Sequence, residues 1–198
     1  MKVFYKIKYF FNRIGIKRKV GILGKNSYIK KKFYITGKKY ISIGDNVSIA
    51  EGASIQCFDN YAGLPLEPNL TINNDVFINR FVNIFCADSI VIGSKTFIGS
   101  FVTITSENHG MDLNTDICFG EQPLIAKQVR IGSNCWIGDK AIVLPGVTIG
   151  NNVIIGANSV VTHDIPEGSI AVGNPARIIK KWNSLSERWE IFDNVNQK

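Results

Sequence analysis

Between Ile131 and Val161 an aliphatic side chain returns at every sixth position, at Ile131, Ile137, Val143, Ile149, Ile155 and Val161. Gly132, Gly138, Gly150 and Gly156 follow four of the six. A period of six fits neither the roughly 3.6 residues of a helical turn nor the plain alternation of an ordinary strand. It fits a parallel β-helix, in which short flat strands alternate with tight turns and each coil stacks on the last. The aliphatic residue then fills the axis. Glycine or asparagine (Asn134, Asn151, Asn152 and Asn158) takes the turn positions that need positive φ or a tight corner.

The same register divides the rest of the chain. It starts at Ile43, breaks over 57–71, resumes at Ile72 and Ile92, breaks again over 105–130, and then runs to about Val161. The expected organisation is a basic head and capping region over 1–42, a β-helix over 43–177, and a C-terminal helix over 178–198. Residues 20–42 read as an irregular first coil or cap, which a solenoid end requires. Ile178, Trp182, Leu185, Trp189 and Phe192 recur at helical spacing, which predicts that closing helix. Long breaks in a solenoid project outward, where function tends to sit.

Charge is distributed unevenly. Residues 1–40 hold 13 Lys and Arg and no acidic residue, leaving ten basic against sixteen acidic residues in the remainder, a net −6. A mildly acidic body argues against nucleic-acid binding. Over 3–17, Val3, Phe4, Ile7, Phe10, Phe11 and Ile14 share one face of an amphipathic helix with basic residues beside it. Such a helix either rests on an anionic membrane surface or docks on the domain or a neighbouring subunit. No apolar run approaches the roughly 18 residues that span a bilayer. Lys6 and Lys8 interrupt any secretory signal, so a cytoplasmic location is expected, at most at the inner face of the membrane. Four scattered cysteines without CxxC spacing read as reduced core or turn residues.

The stretch from Trp136 to Ile179, WIGDKAIVLPGVTIGNNVIIGANSVVTHDIPEGSIAVGNPARII, resembles the C-terminal signature of hexapeptide-repeat acyltransferases. Upstream, FINRF and ENHGMD resemble acceptor-site segments of their sugar O-acetyltransferase branch, which includes the maltose, galactoside and surface-polysaccharide acetyltransferases. The resemblance covers roughly 43–180. It implies a left-handed β-helix, a homotrimer with active sites in the clefts between subunits, acetyl-CoA as donor, a saccharide acceptor and no metal. A lipid-linked or anionic glycan would suit the basic head.

Moving an acetyl group from a thioester to a hydroxyl needs a base for the alcohol proton, and imidazole suits neutral pH. Of the two histidines, His109 in ENHGMD matches the family's catalytic base. Its orienting partner stays open among Glu121, Asp112 and a main-chain carbonyl. Asn79 matches the asparagine that faces the acceptor, and a neutral amide both donates and accepts. By the same resemblance Asp139, Ala157, Thr162, His163, Arg177 and Lys180 occupy CoA-contacting positions, and Trp136 flanks the cleft. Structural roles in turns and caps compete with function at each of these. Three further readings share the fold. They are an antibiotic-inactivating acetyltransferase, a non-catalytic trimeric scaffold, and a zinc enzyme of the γ-carbonic-anhydrase kind, which needs three histidines where the chain has two.

Overall fold

The structure, a computed structural model, describes residues 20–192. The amphipathic helix expected over 3–17 lies outside them. The described chain winds as a left-handed parallel β-helix with three flat faces, the opposite hand to the usual right-handed crossover. The first face carries six strands from Ile22–Leu23 to Thr148–Ile149, and the third carries six from Tyr34–Thr36 to Val160–Val161. The second face begins at Tyr28–Ile29 and is extended by three C-terminal strands.

Coils stack with like residues aligned. On the second face Ile49, Ile78, Ile98, Ile137 and Ile155 pair in register, and none has exposed surface. Each such side chain contributes about 1.5–3 kcal/mol by leaving water. Coiling already begins before Ile43. Ile22–Leu23, Tyr28–Ile29 and Tyr34–Thr36 form a complete first coil, paired in parallel with the one that follows. A 3-10 turn at Lys38–Tyr40, entered through Gly37 at φ 66°, joins it to the next. Lys25, Lys30, Lys31, Lys32, Lys38 and Lys39 stand exposed on this coil and its turn.

Glycine and asparagine divide the corners between them. Asn46, Asn134, Asn152 and Asn158 take positive φ, all near 57°. The glycines that follow the axial isoleucines serve a different need, the close approach of successive coils. A Cβ on Gly132 would stand 2.5 Å from the backbone carbonyl carbon of Gly150. Gly132→Ala therefore forces two coils apart, and we expect a loss of about 1–3 kcal/mol in chemical denaturation. An unchanged midpoint would mean the corner has slack.

The C-terminal helix does not form in the described residues. Ala176–Asn183 and Arg188–Ile191 are antiparallel strands that continue the second face beyond Ser169–Gly173. The four-three spacing arises from a hairpin turn. Trp182 pairs with Trp189 across the two strands, and Leu185 sits 95% exposed at the tip. The Oδ1 of Asn183 accepts the backbone N–H groups of Leu185 and Ser186, and Glu187 takes φ 50°. Strand pairing here covers a sheet edge that a helix would leave open.

All four cysteines are free, and only Cys118 is exposed. Hydrogen bonding to Cys86 and burial push the Cys57 thiol far above its ordinary range.

Candidate active site

Both breaks in the register leave the prism from the same edge, between its third and first faces. The earlier one departs after Ser54–Cys57 and folds as a hairpin of Asn60–Tyr61 with Leu64–Pro65. Its base is pinned by the Tyr40 hydroxyl donating to Asp59 at 3.1 Å and by Lys39 at 3.5 Å. These two contacts, the hydroxyl first, hold the Asp59 carboxyl below its usual range. The later break departs after Thr103–Thr105, pairs Glu107–Asn108 with Ile125–Ala126, and closes through a short turn at Phe119–Glu121. Buried Gln122 ties it together. Its Nε2 donates to the carbonyls of Asp112 and Ile117, and its Oε1 accepts from the Asp112 N–H.

His109 stands where the two breaks meet. Its ring is exposed and lines a pocket of about 220 Å³ with Phe58, Tyr61, Phe85, Glu107 and Leu124. Nδ1 lies 3.3 Å from the Tyr61 hydroxyl, and the two rings are tilted at 56°. The Tyr61 hydroxyl also donates to the carbonyl of Gly120. Neither acidic candidate orients the imidazole. The Asp112 carboxylate turns to the N–H and side-chain amide of Asn114, and Glu121 makes no hydrogen bond to the ring. Tyr61 was not legible from spacing, because it lies 48 residues from His109.

The other candidate residues sort onto two edges. Thr162 and His163 lie on the edge that carries His109, below it along the stack, with Thr162 Oγ1 2.7 Å from His163 Nδ1. His163 and Arg177 line one depression of about 510 Å³, where the lysine is Lys181 rather than Lys180. Asn79, Asp139 and Ala157 lie on the edge between the second and third faces, and exposed Trp136 stands on the second face beside it. The Asp139 carboxylate fixes a corner by accepting the Ser100 N–H at 2.7 Å. On that edge Phe81 and Phe101 take positive φ, where the last coils carry Lys140 and Asn158. Their rings are exposed and stacked at 5.0 Å. A bulky side chain in that backbone region costs on the order of 1–3 kcal/mol, which marks these two corners as functional candidates. The third face separates this edge from His109, by about 10 Å over a four-residue strand. Among the described residues no group of three His, Cys, Asp or Glu could hold a metal ion.

Residues 128–163 match the model of the bacterial transferase hexapeptide, in six repeats. Over those residues the chain is similar to hexapeptide-repeat transferases. The chain is 36% identical over 124 residues to a protein of Escherichia coli K12 described as a putative lipopolysaccharide biosynthesis O-acetyl transferase, WbbJ. That match covers 60% of the chain and 63% of the relative, so under two thirds of the relative is spanned. Among solved structures, AntD, an N-acyltransferase of Bacillus cereus in complex with dTDP and 3-hydroxybutyryl-CoA, superposes with a TM-score of 0.72. It is 24% identical, with 85% of this chain and 87% of that one covered, and the likeness is one of fold. A hexapeptide-repeat acetyltransferase of Vibrio cholerae, complexed with acetyl-coenzyme A, gives a TM-score of 0.56 at 26% identity, covering 85% and 74%.

Proposed function

We propose that this chain is an acetyl-CoA-dependent O-acetyltransferase acting on a saccharide hydroxyl, in the synthesis of a surface polysaccharide or lipopolysaccharide. The observation that carries the proposal is the exposed imidazole of His109, held in a small pocket at the junction of the two outward breaks. The likeness to a putative O-acetyl transferase and to an acetyltransferase complexed with acetyl-coenzyme A supports the choice of reaction. In the ternary complex the acceptor hydroxyl gives its proton to His109 as its oxygen attacks the thioester carbonyl. The tetrahedral intermediate then expels the thiolate, which takes the proton back from the imidazolium. Ester and free thiol leave, and no acyl-enzyme forms. The donor runs along the edge that carries Thr162 and His163, with Arg177 offering fixed positive charge to its phosphates.

The acceptor side comes from the opposite edge of a second copy in a homotrimer. Asn79 sits there with its Oδ1 taken by the Arg80 N–H, which leaves its amide N–H₂ to donate to a sugar hydroxyl. The stacked Phe81 and Phe101 beside it offer a flat apolar surface to a pyranose ring. Asn79→Ala removes one hydrogen bond, so KM for the acceptor rises about 3- to 10-fold while KM for acetyl-CoA is unchanged. Equal KM values for both substrates would exclude Asn79 from the acceptor. The reaction itself is tested by thiol release from acetyl-CoA across a panel of glycans. No release with any glycan and full release with an antibiotic substrate would overturn the saccharide reading.

The lysines of the first coil lie at one end of the prism, and together with the basic residues of the head sequence they suit contact with anionic lipid or a lipid-linked acceptor. Among the described residues no helix is long and apolar enough to cross a membrane. Full-length protein is expected to bind vesicles containing anionic lipid at low salt and leave them at high salt, whereas a chain starting at Lys19 binds far less. Equal binding by both chains would assign the head to packing.

A further inference from the structure

The Tyr61 hydroxyl touches two groups, the Gly120 carbonyl and Nδ1 of His109. A phenol has one proton to give, and a carbonyl oxygen only accepts. The proton between Tyr61 and Gly120 therefore belongs to Tyr61. What the hydroxyl presents to the imidazole is a lone pair, so the nitrogen facing it must carry hydrogen. The chain of donors runs from His109 Nδ1–H to Tyr61 Oη–H to Gly120 C=O.

From this we infer that Tyr61 is a positioning residue that locks His109 in the Nδ1–H tautomer, leaving the Nε2 lone pair free as the base. The inference rests on the acetyltransferase reading and names the atom that takes the proton. When Nε2 accepts the acceptor's proton, the ring becomes an imidazolium whose Nδ1–H still has its acceptor. When the thiolate retrieves the proton, the ring returns to the same tautomer without turning over. The contact also joins the two breaks, since Tyr61 belongs to the hairpin over 60–65 and Gly120 to the turn over 119–121. The base is thus aligned by a loop whose position depends on the other loop. The relay itself uses no carboxylate; Glu107, which lines the same pocket, turns an oxygen to the Thr105 hydroxyl.

The test uses full-length protein labelled with ¹⁵N in its histidines. With only two histidines in the chain, His163→Gln assigns the His109 signals. At a pH where the ring is neutral, Nδ1 is expected to show the shift of a protonated nitrogen and Nε2 that of an unprotonated one. Tyr61→Phe is expected to return the ring to a mixture dominated by Nε2–H. It should also lower kcat about 10- to 100-fold, the size of fall found when the outer hydrogen-bond partner of a metal-ligating histidine is removed, applied here to a base. KM for acetyl-CoA and the melting temperature should stay close to the parent's. A parent protein with hydrogen on Nε2 overturns the inference, and so does a Tyr61→Phe variant with full kcat. Should His109→Ala also retain full activity, the acetyltransferase mechanism falls rather than the relay alone.

Discussion

Replacing His109 with alanine is expected to lower the rate of acetyl transfer about 10²- to 10⁴-fold, the range attributed to a positioned general base. The ring is exposed and borne on a loop outside the prism, so its removal leaves the stacked isoleucines untouched. Far-UV dichroism and the melting temperature should therefore match the parent's. KM for acetyl-CoA should change little, because in the proposed arrangement the donor's long arm lies further along the edge, near Thr162 and His163. A fall in kcat with constant KM is the signature of an interaction made only in the transition state. Retained turnover would remove His109 from the chemistry.

The second large effect concerns stability. Ile137 has no exposed surface and lies in register between Ile98 above and Ile155 below. Ile137→Ala empties part of the axis, and we expect a loss of about 2–5 kcal/mol in denaturant unfolding. The loss is felt beyond one coil because each repeat is stabilised mainly by its neighbours. Ile154, the preceding residue in the next coil, points outward and is half-buried, so Ile154→Ala should cost well under half as much. Similar losses at both positions would contradict the assignment of inward and outward faces.

The axial register of this fold was legible because the same requirement repeats at every coil. An inward aliphatic and a following glycine leave a period of six that neither helix nor sheet reproduces. Even the first coil carries it, at Leu23, Ile29 and Ile35. That register was masked because the turn at Lys38–Tyr40 offsets the next one to Ile43, and because lysines crowd the corner at 30–32. The C-terminal hairpin was misread for a related reason. A reverse turn between two short strands separates its tryptophans by seven residues, which is also two helical turns.

At the candidate site, the proposed base could be picked out of the sequence, but its hydrogen-bond partner could not. His109 stands in the longer break and is one of only two histidines. Its partner Tyr61 depends on both breaks leaving the same edge, which follows from how many residues each corner uses. Phe81 and Phe101 carried a signal, since aromatics occupy a corner where later coils place Lys140 and Asn158. Lys181, rather than the Lys180 that the resemblance implied, lines the depression with Arg177, because alternation along the strand puts 177 and 181 on the same side.

The most direct measurement is a crystal structure of the full-length protein with coenzyme A bound. The account predicts the pantetheine arm lying along the edge that carries Thr162 and His163, with the thiol sulfur within about 4 Å of the Nε2 of His109, close to the spacing of reacting groups. A thiol on the opposite edge, or one reaching the pocket from the Nδ1 side with Tyr61 displaced, would contradict it.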